Sequence, residues 1–211
     1  MWRTTVMYRR EVVESDMDRH MPPSYPSAID TTEVQSVRDG VGPLFHRRYS
    51  VRIRGCELEP ERLVQAVRRN VNAVAPTRFA RFHRVLGDGD SLDVGDEYVV
   101  RMPGPWDGPV RVIDVGPSGF RLATLDGHLE AGQIEFRASP GEDGDVCFTI
   151  ESWARSGDRF SDFLYHRVGM SKEIQLHMWI SFLEGVGKIS RGKIYGGIDI
   201  DTRRVDEFAA D

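Results

Sequence analysis

The sequence predicts an α+β domain in which a curved antiparallel sheet wraps around a long C-terminal helix. Three observations carry this reading. Short alternating segments between residues 97 and 150 are punctuated by turn dipeptides, as in strands joined by hairpins rather than by crossover helices. One extended stretch of helical periodicity follows them. The order is strand, two helices, strands and helix, with no internal repeat. A chain of 211 residues suits one domain of ordinary size with spare length at its ends.

The elements follow in order. Residues 1–35 are expected to form an extended arm, hanging free or wrapping the domain, because Met21-Pro22-Pro23-Ser24-Tyr25-Pro26-Ser27 cannot continue a helix or a central strand. The domain proper is assigned to residues 36–188. Tyr49, Val51 and Ile53 alternate with polar neighbours as a half-buried strand. Glu59-Pro60-Glu61 opens a helix with Leu63, Val64, Val67 and Val71 on its apolar stripe. A second helical piece is expected from Thr77 through Phe79, Phe82 and Val85, ended by Gly87-Asp88-Gly89.

Strands then follow through Tyr98, Val100 and Met102, through Val110 and Val112, and through Phe120, Leu122 and Thr124, with Ile134 and Phe136, then Val146, Phe148 and Ile150, completing the set. Asp107-Gly108, Asp126-Gly127 and Asp143-Gly144 fall in the gaps as favoured hairpin pairs. A helix over 158–187, divided near Gly169, carries Leu176, Trp179, Ile180, Leu183 and Val186 on one stripe. Residues 189–211 form a tail in which Ile198-Asp199-Ile200-Asp201 reads as a short edge strand or as disorder.

Composition excludes several classes of function. The 28 Lys and Arg against 33 Asp and Glu give a formal net charge of −5, which argues against non-specific nucleic-acid binding. No stretch approaches the roughly 18 apolar residues of a membrane span, and no apolar secretory segment opens the chain, so the expected location is cytoplasmic. Cys56 and Cys147 match no metal or redox spacing and read as free thiols. Lys172, Lys188 and Lys193 are the only lysines, an arginine bias that suggests a high-GC bacterial genome.

The order of elements is similar to the helix-grip fold of the START-like superfamily, SRPBCC proteins among them, in which a bent sheet grips a C-terminal helix and encloses a cavity. A narrower resemblance rests on Gly119-Phe120, Thr124-Leu125-Asp126-Gly127-His128, Gly132 and Phe136. These residues resemble the signature of a family of bacterial and plant proteins known as a domain of unknown function, over roughly residues 40–188. That family has an acidic residue after the glycine matching Gly132. This chain has Gln133 there, so proton chemistry at that position does not carry over.

Candidate functional residues divide by chemistry. His128, at a hairpin turn, is the single candidate acid–base group. Glu135, Glu151 and Arg155 read as a solvated cluster on the face opposite Phe136 and Ile150. Glu173 and His177 lie at i, i+4 without the further ligands of a metal site, and Asp88, Asp90, Asp93 and Asp96 miss calcium-loop spacing. No phosphate-binding glycine loop or nucleophile elbow occurs, so no metal or cofactor is expected.

What remains is aromatic. The helix-grip resemblance implies a cavity lined from the sheet by Phe120, Leu122, Phe136, Phe148 and Ile150 and from the helix by Trp179 and Leu183. Thr124, His128 or Gln175 would orient the polar end of a small hydrophobic molecule there. Trp106 reads as a loop residue closing that cavity, or covering a seam or partner surface. Two alternatives stand beside binding: a cyclase- or dehydratase-like enzyme using the same pocket, and an interaction module whose arm docks on a partner or on a second copy as a homodimer.

Overall fold

A computed structural model describes residues 5–76, 80–101, 107–157 and 170–206. The strands are β1 (Met7–Glu14), β2 (Val41–Arg54), β3 (Arg81–Leu86), β4 (Glu97–Arg101), β5 (Asp107–Val115), β6 (Gly119–Thr124), β7 (Glu130–Pro140), β8 (Val146–Ser156) and β9 (Lys193–Val205). The helices are α1 (Pro60–Arg69), α2 (Val71–Val74) and α3 (Met170–Ile189). All nine strands join one curved, open sheet in the order β1-β9-β2-β8-β7-β6-β5-β4-β3. From β4 to β8 the chain runs as the antiparallel meander that its turn dipeptides predict. The β1–β9 pair is parallel, which makes the sheet mixed.

Alternation along the strands sends one set of side chains to a common inner face. Tyr49, Val51 and Ile53 of β2 meet Val146, Phe148 and Ile150 of β8 and Phe136 of β7 there. Leu63, Val64 and Val67 of α1 pack against this layer, as do Ile180, Phe182, Leu183 and Val186 of α3. Pro60 starts α1, and the Asn70 side chain caps α2 by accepting from the Ala73 N–H. α3 lies so close to α2 that a Cβ on Gly185 would stand 2.6 Å from the Val74 carbonyl oxygen.

The opposite face carries a different cover. Val37, Leu44, Trp153 and Val205 form a second apolar cluster with Met17 and Met21 against it. From there the chain crosses the sheet as a strap. Arg121 and Gln133 donate to the Pro23 carbonyl, Arg111 donates to the Asp30 and Thr32 carbonyls at 2.8 Å, and the Gln35 N–H donates to the Thr124 carbonyl. Within residues 1–35, read as an extended arm, Met7–Glu14 is instead a strand of the sheet, and the segment from Met17 to Gln35 lies across it.

Several local expectations are corrected. Phe79, Phe82 and Val85 are spaced like a helical stripe, yet residues 81–86 form strand β3. Asn72 brackets Phe82 there, accepting from its N–H and donating to its carbonyl, so tertiary hydrogen bonds override a short apolar spacing. Asp107-Gly108 opens β5 instead of turning the chain, with Asp107 opposite Arg101. Thr77 and Phe79 of that expected helix, Met102, Trp106 and residues 158–169, including Gly169, lie outside the described residues. The segment read as an edge strand or disordered tail is a thirteen-residue strand inside the sheet, because Ile198 and Ile200 alternate into the core.

Candidate functional site

The pairing registers arrange the inner face as successive rungs across the sheet. One rung runs Ile200, Tyr49, Ile150, Phe136 and Phe120, all buried. Its rings close on one another and on α3. Phe120 and Phe136 stack at 4.8 Å, Phe182 lies 5.1 Å from Phe136, and Trp179 meets both Phe136 and Phe182 edge-on. Phe148 and Leu183 belong to the same cluster. The apolar residues read from sequence as pocket lining thus come together, and they do so as a packed aromatic layer.

The next rung is different. It runs Thr202, Arg47, Ser152, Ile134, Leu122 and Val112 from β9 to β5. Its first half is polar and its second half apolar. Arg47 is 6% exposed although it bears a full charge, and its guanidinium lies over the Phe45 ring at 4.4 Å. From α3, Gln175 accepts a hydrogen bond from Arg47 Nη1 at 3.4 Å. Ile134 and Trp179 are half-buried and pack on the edge of the core. Beyond this rung Phe45 of β2 pairs with Ala154, which pairs in turn with Gly132, so β8 and β7 carry small residues there.

Thr124 and His128 are occupied elsewhere. Thr124 Oγ1 accepts from the Gly132 N–H at 2.9 Å and lies 2.9 Å from the Gln35 carbonyl, to which it donates. It ties the strap to the sheet. His128 Nδ1 accepts from the Glu130 N–H at 2.9 Å within its own loop, and burial holds the imidazole below its ordinary pKa. Gly127, with φ +89°, makes the turn that presents it.

The outer face holds the charged residues. Glu135 and Glu151 are direct cross-strand partners, as alternation predicts, and Arg137 lies 4.0 Å and 3.8 Å from them. Arg155 is not part of that cluster. It donates to the Gly42 and Val37 carbonyls and holds the start of β2. Glu151 accepts from His46 Nε2 at 2.7 Å, and that hydrogen bond keeps its carboxyl below the usual range against the opposing effect of burial. His46 stacks on Trp153 and meets His20 of the strap, Nδ1 to Nδ1, at 3.1 Å. In the acidic connector Asp93 pairs with Arg68 and Asp96 with Arg84, so these carboxylates tie β4 to α1 and β3. Among the described residues no group of three or more His, Cys, Asp or Glu could hold a metal ion.

Arg47, Ser152, His20 and His46 are absent from the sequence-based candidates, where Glu151 stands beside Glu135 and Arg155 alone. Arg47 had a legible signal, since it interrupts an inward alternation that runs Phe45, Arg47, Tyr49, Val51 and Ile53. His20 and His46 had none, because only the strap brings them together.

Known proteins bear on the fold more than on chemistry. A hypothetical protein from Helicobacter pylori matches with a TM-score of 0.50 and 14% identity, over 68% of this chain and 86% of its own. The KanY protein, solved in solution, matches with a TM-score of 0.50 and 11% identity, over 72% and 99%. Norcoclaurine synthase from Thalictrum flavum aligns at 0.48 with 12% identity, over 72% and 87%. At such identities these likenesses describe architecture alone. No curated protein matches the chain. No helix among the described residues is long and apolar enough to cross a membrane. The sequence profile that does match spans residues 22–178, from the strap into α3, and with it the chain belongs to the family described as Domain of unknown function (DUF1990).

Proposed function

We propose that the protein binds a small, largely apolar molecule between the sheet and α3, with the polar end of that molecule at Arg47, Ser152 and Gln175. The observation that carries this is the mixed rung. A buried cation and a hydroxyl continue directly into Ile134 and Leu122, opposite the half-buried Trp179. A site with an apolar body and few convergent polar groups is the general form of a small-molecule pocket. Ala154 and Gly132 keep the adjoining rung free of bulky side chains on those two strands. The fixed charge of Arg47 favours a ligand ending in a carboxylate, sulfonate or similar acceptor.

Binding is favoured over turnover because this rung holds charge and hydrogen-bonding groups but no histidine or carboxylate to move a proton. Anilinonaphthalene sulfonate, an aromatic body with one anionic end, is a suitable probe. It should bind the folded protein with fluorescence enhancement, and Arg47→Met should weaken it by about tenfold or more, the loss expected for a hydrogen bond to a charged group. Native mass spectrometry of freshly purified protein tests for a co-purified ligand. Equal affinity in the wild type and in Arg47→Met and Gln175→Leu variants would sink the proposal.

A further inference from the structure

The open edge formed by β1 has a pattern of its own. Immediately before β1 the Val6 carbonyl accepts from the Ile198 N–H of β9. Strand geometry then turns the backbone groups of Tyr8, Arg10 and Val12 toward β9 and those of Met7, Arg9, Glu11 and Val13 outward. No described strand covers that edge. Val6, Tyr8 and Val13 are more than half exposed, and Arg9, Arg10 and Glu11 are exposed beside them. An eight-residue edge strand that no described strand covers is a template for another strand.

We infer that β1 pairs antiparallel with β1 of a second copy, joining two sheets into one across a two-fold axis at Arg10. The register follows from the sequence. In a continuous antiparallel sheet, opposed residues share a face, so the axis must pass through a residue of β1 and not between two. An axis at Arg9 sets arginine against arginine in a hydrogen-bonded pair, and an axis at Glu11 sets glutamate against glutamate. An axis at Arg10 places Arg9 opposite Glu11 and Met7 opposite Val13 in the hydrogen-bonded pairs, with Tyr8 opposite Val12 between them. Every pair occurs twice by symmetry.

Arg10 meets its copy only in a non-hydrogen-bonded pair. Its neighbour across β9 is Asp201, whose buried Oδ1 has no hydrogen-bond partner. Asp201 is already paired with Arg203 through Oδ2 at 2.9 Å, so the contact of the two axial arginines is the least favourable pair of this register. The far edge of the sheet cannot substitute. β3 reads Arg81-Phe82-His83-Arg84-Val85-Leu86 and has no acid to answer Arg9 and Arg10, which disfavours open, head-to-tail chains.

Sedimentation velocity on the full chain over micromolar concentrations tests this. The wild type should be a dimer. Glu11→Arg, which turns both cross-axis pairs into repulsive ones, should raise the dimer dissociation constant by roughly tenfold or more. The reciprocal variant Arg9→Glu/Glu11→Arg should restore the dimer. Val13→Pro removes an outward N–H without touching the bonds to β9, so it should yield a folded monomer by circular dichroism. A wild type that stays monomeric, or a dimer whose dissociation constant is unmoved in Glu11→Arg and Val13→Pro, overturns the inference.

Discussion

His20 and His46 meet end to end, with ring centroids 5.4 Å apart and their Nδ1 atoms in contact. A carboxylate only accepts, so His46 turns Nε2–H to Glu151, which leaves its Nδ1 to receive the Nδ1–H of His20. Burial, and next the neighbouring His46, hold His20 below its ordinary value of 6.5, and burial does the same to His128. For a base with a lowered pKa the unfolded chain binds more protons, so stability is complete above 6.5 and declines as pH falls below it. Glu151, held below its ordinary 4.5, adds a further loss only in more acid solution. Urea midpoints should therefore be level from pH 8 to pH 7 and fall toward pH 5, with a shallower fall in His20→Asn. A midpoint unchanged across that range would show that the clasp is not coupled to folding. None of this was legible in the sequence, where His20 and His46 stand 26 residues apart on unrelated periodicities. Phe120 and Phe136 were legible, because period-two alternation in a hairpin fixes which side chains share a face.

Among the elements, α3 is positioned by small residues as much as by large ones. Gly185 touches the backbone of α2 at Val74, and the ring cluster of Phe136, Trp179 and Phe182 sets the other end of the contact. Gly185→Val should push the helix off α2 and destabilise the fold by about 1–3 kcal/mol, the usual penalty for overpacking. It should also weaken binding of the fluorescent probe through Gln175, whereas a surface change such as Arg191→Ala should do neither. Thermal melts of the two variants separate the cases. Helix α3 and the meander announce themselves in the sequence because each is long enough for its period to repeat. β3 does not. Six residues with one buried phenylalanine match a helical stripe as well as a strand, and Asn72 decides between them through contacts no local pattern contains.

At the scale of the whole molecule, both chain ends enter one sheet. β9 sits between β1 and β2, and among the described residues β1 has β9 as its only strand partner. Sequence patterns could not supply this, since Gly196-Gly197 breaks the apolar run and the partners of Ile198 and Ile200 lie at the other end of the chain. Removing residues 193–211 should therefore deprive two strands of their pairing, not one. In hydrogen exchange the amides of Tyr8, Arg10 and Val12 should lose protection in the truncated protein while those of Phe148 and Ile150 in β8 keep theirs. Retained protection in β1 would contradict the pairing. The same interleaving imposes a sequence of events on the ribosome. Residues 7–14 are made before the rest of the described sheet, yet their full set of partners exists only once residue 205 has been added. At roughly 5–20 residues per second this is a wait of about ten to forty seconds. The meander and its helices can assemble in that time, so β1, made before the other described strands, is the last of them to find its place.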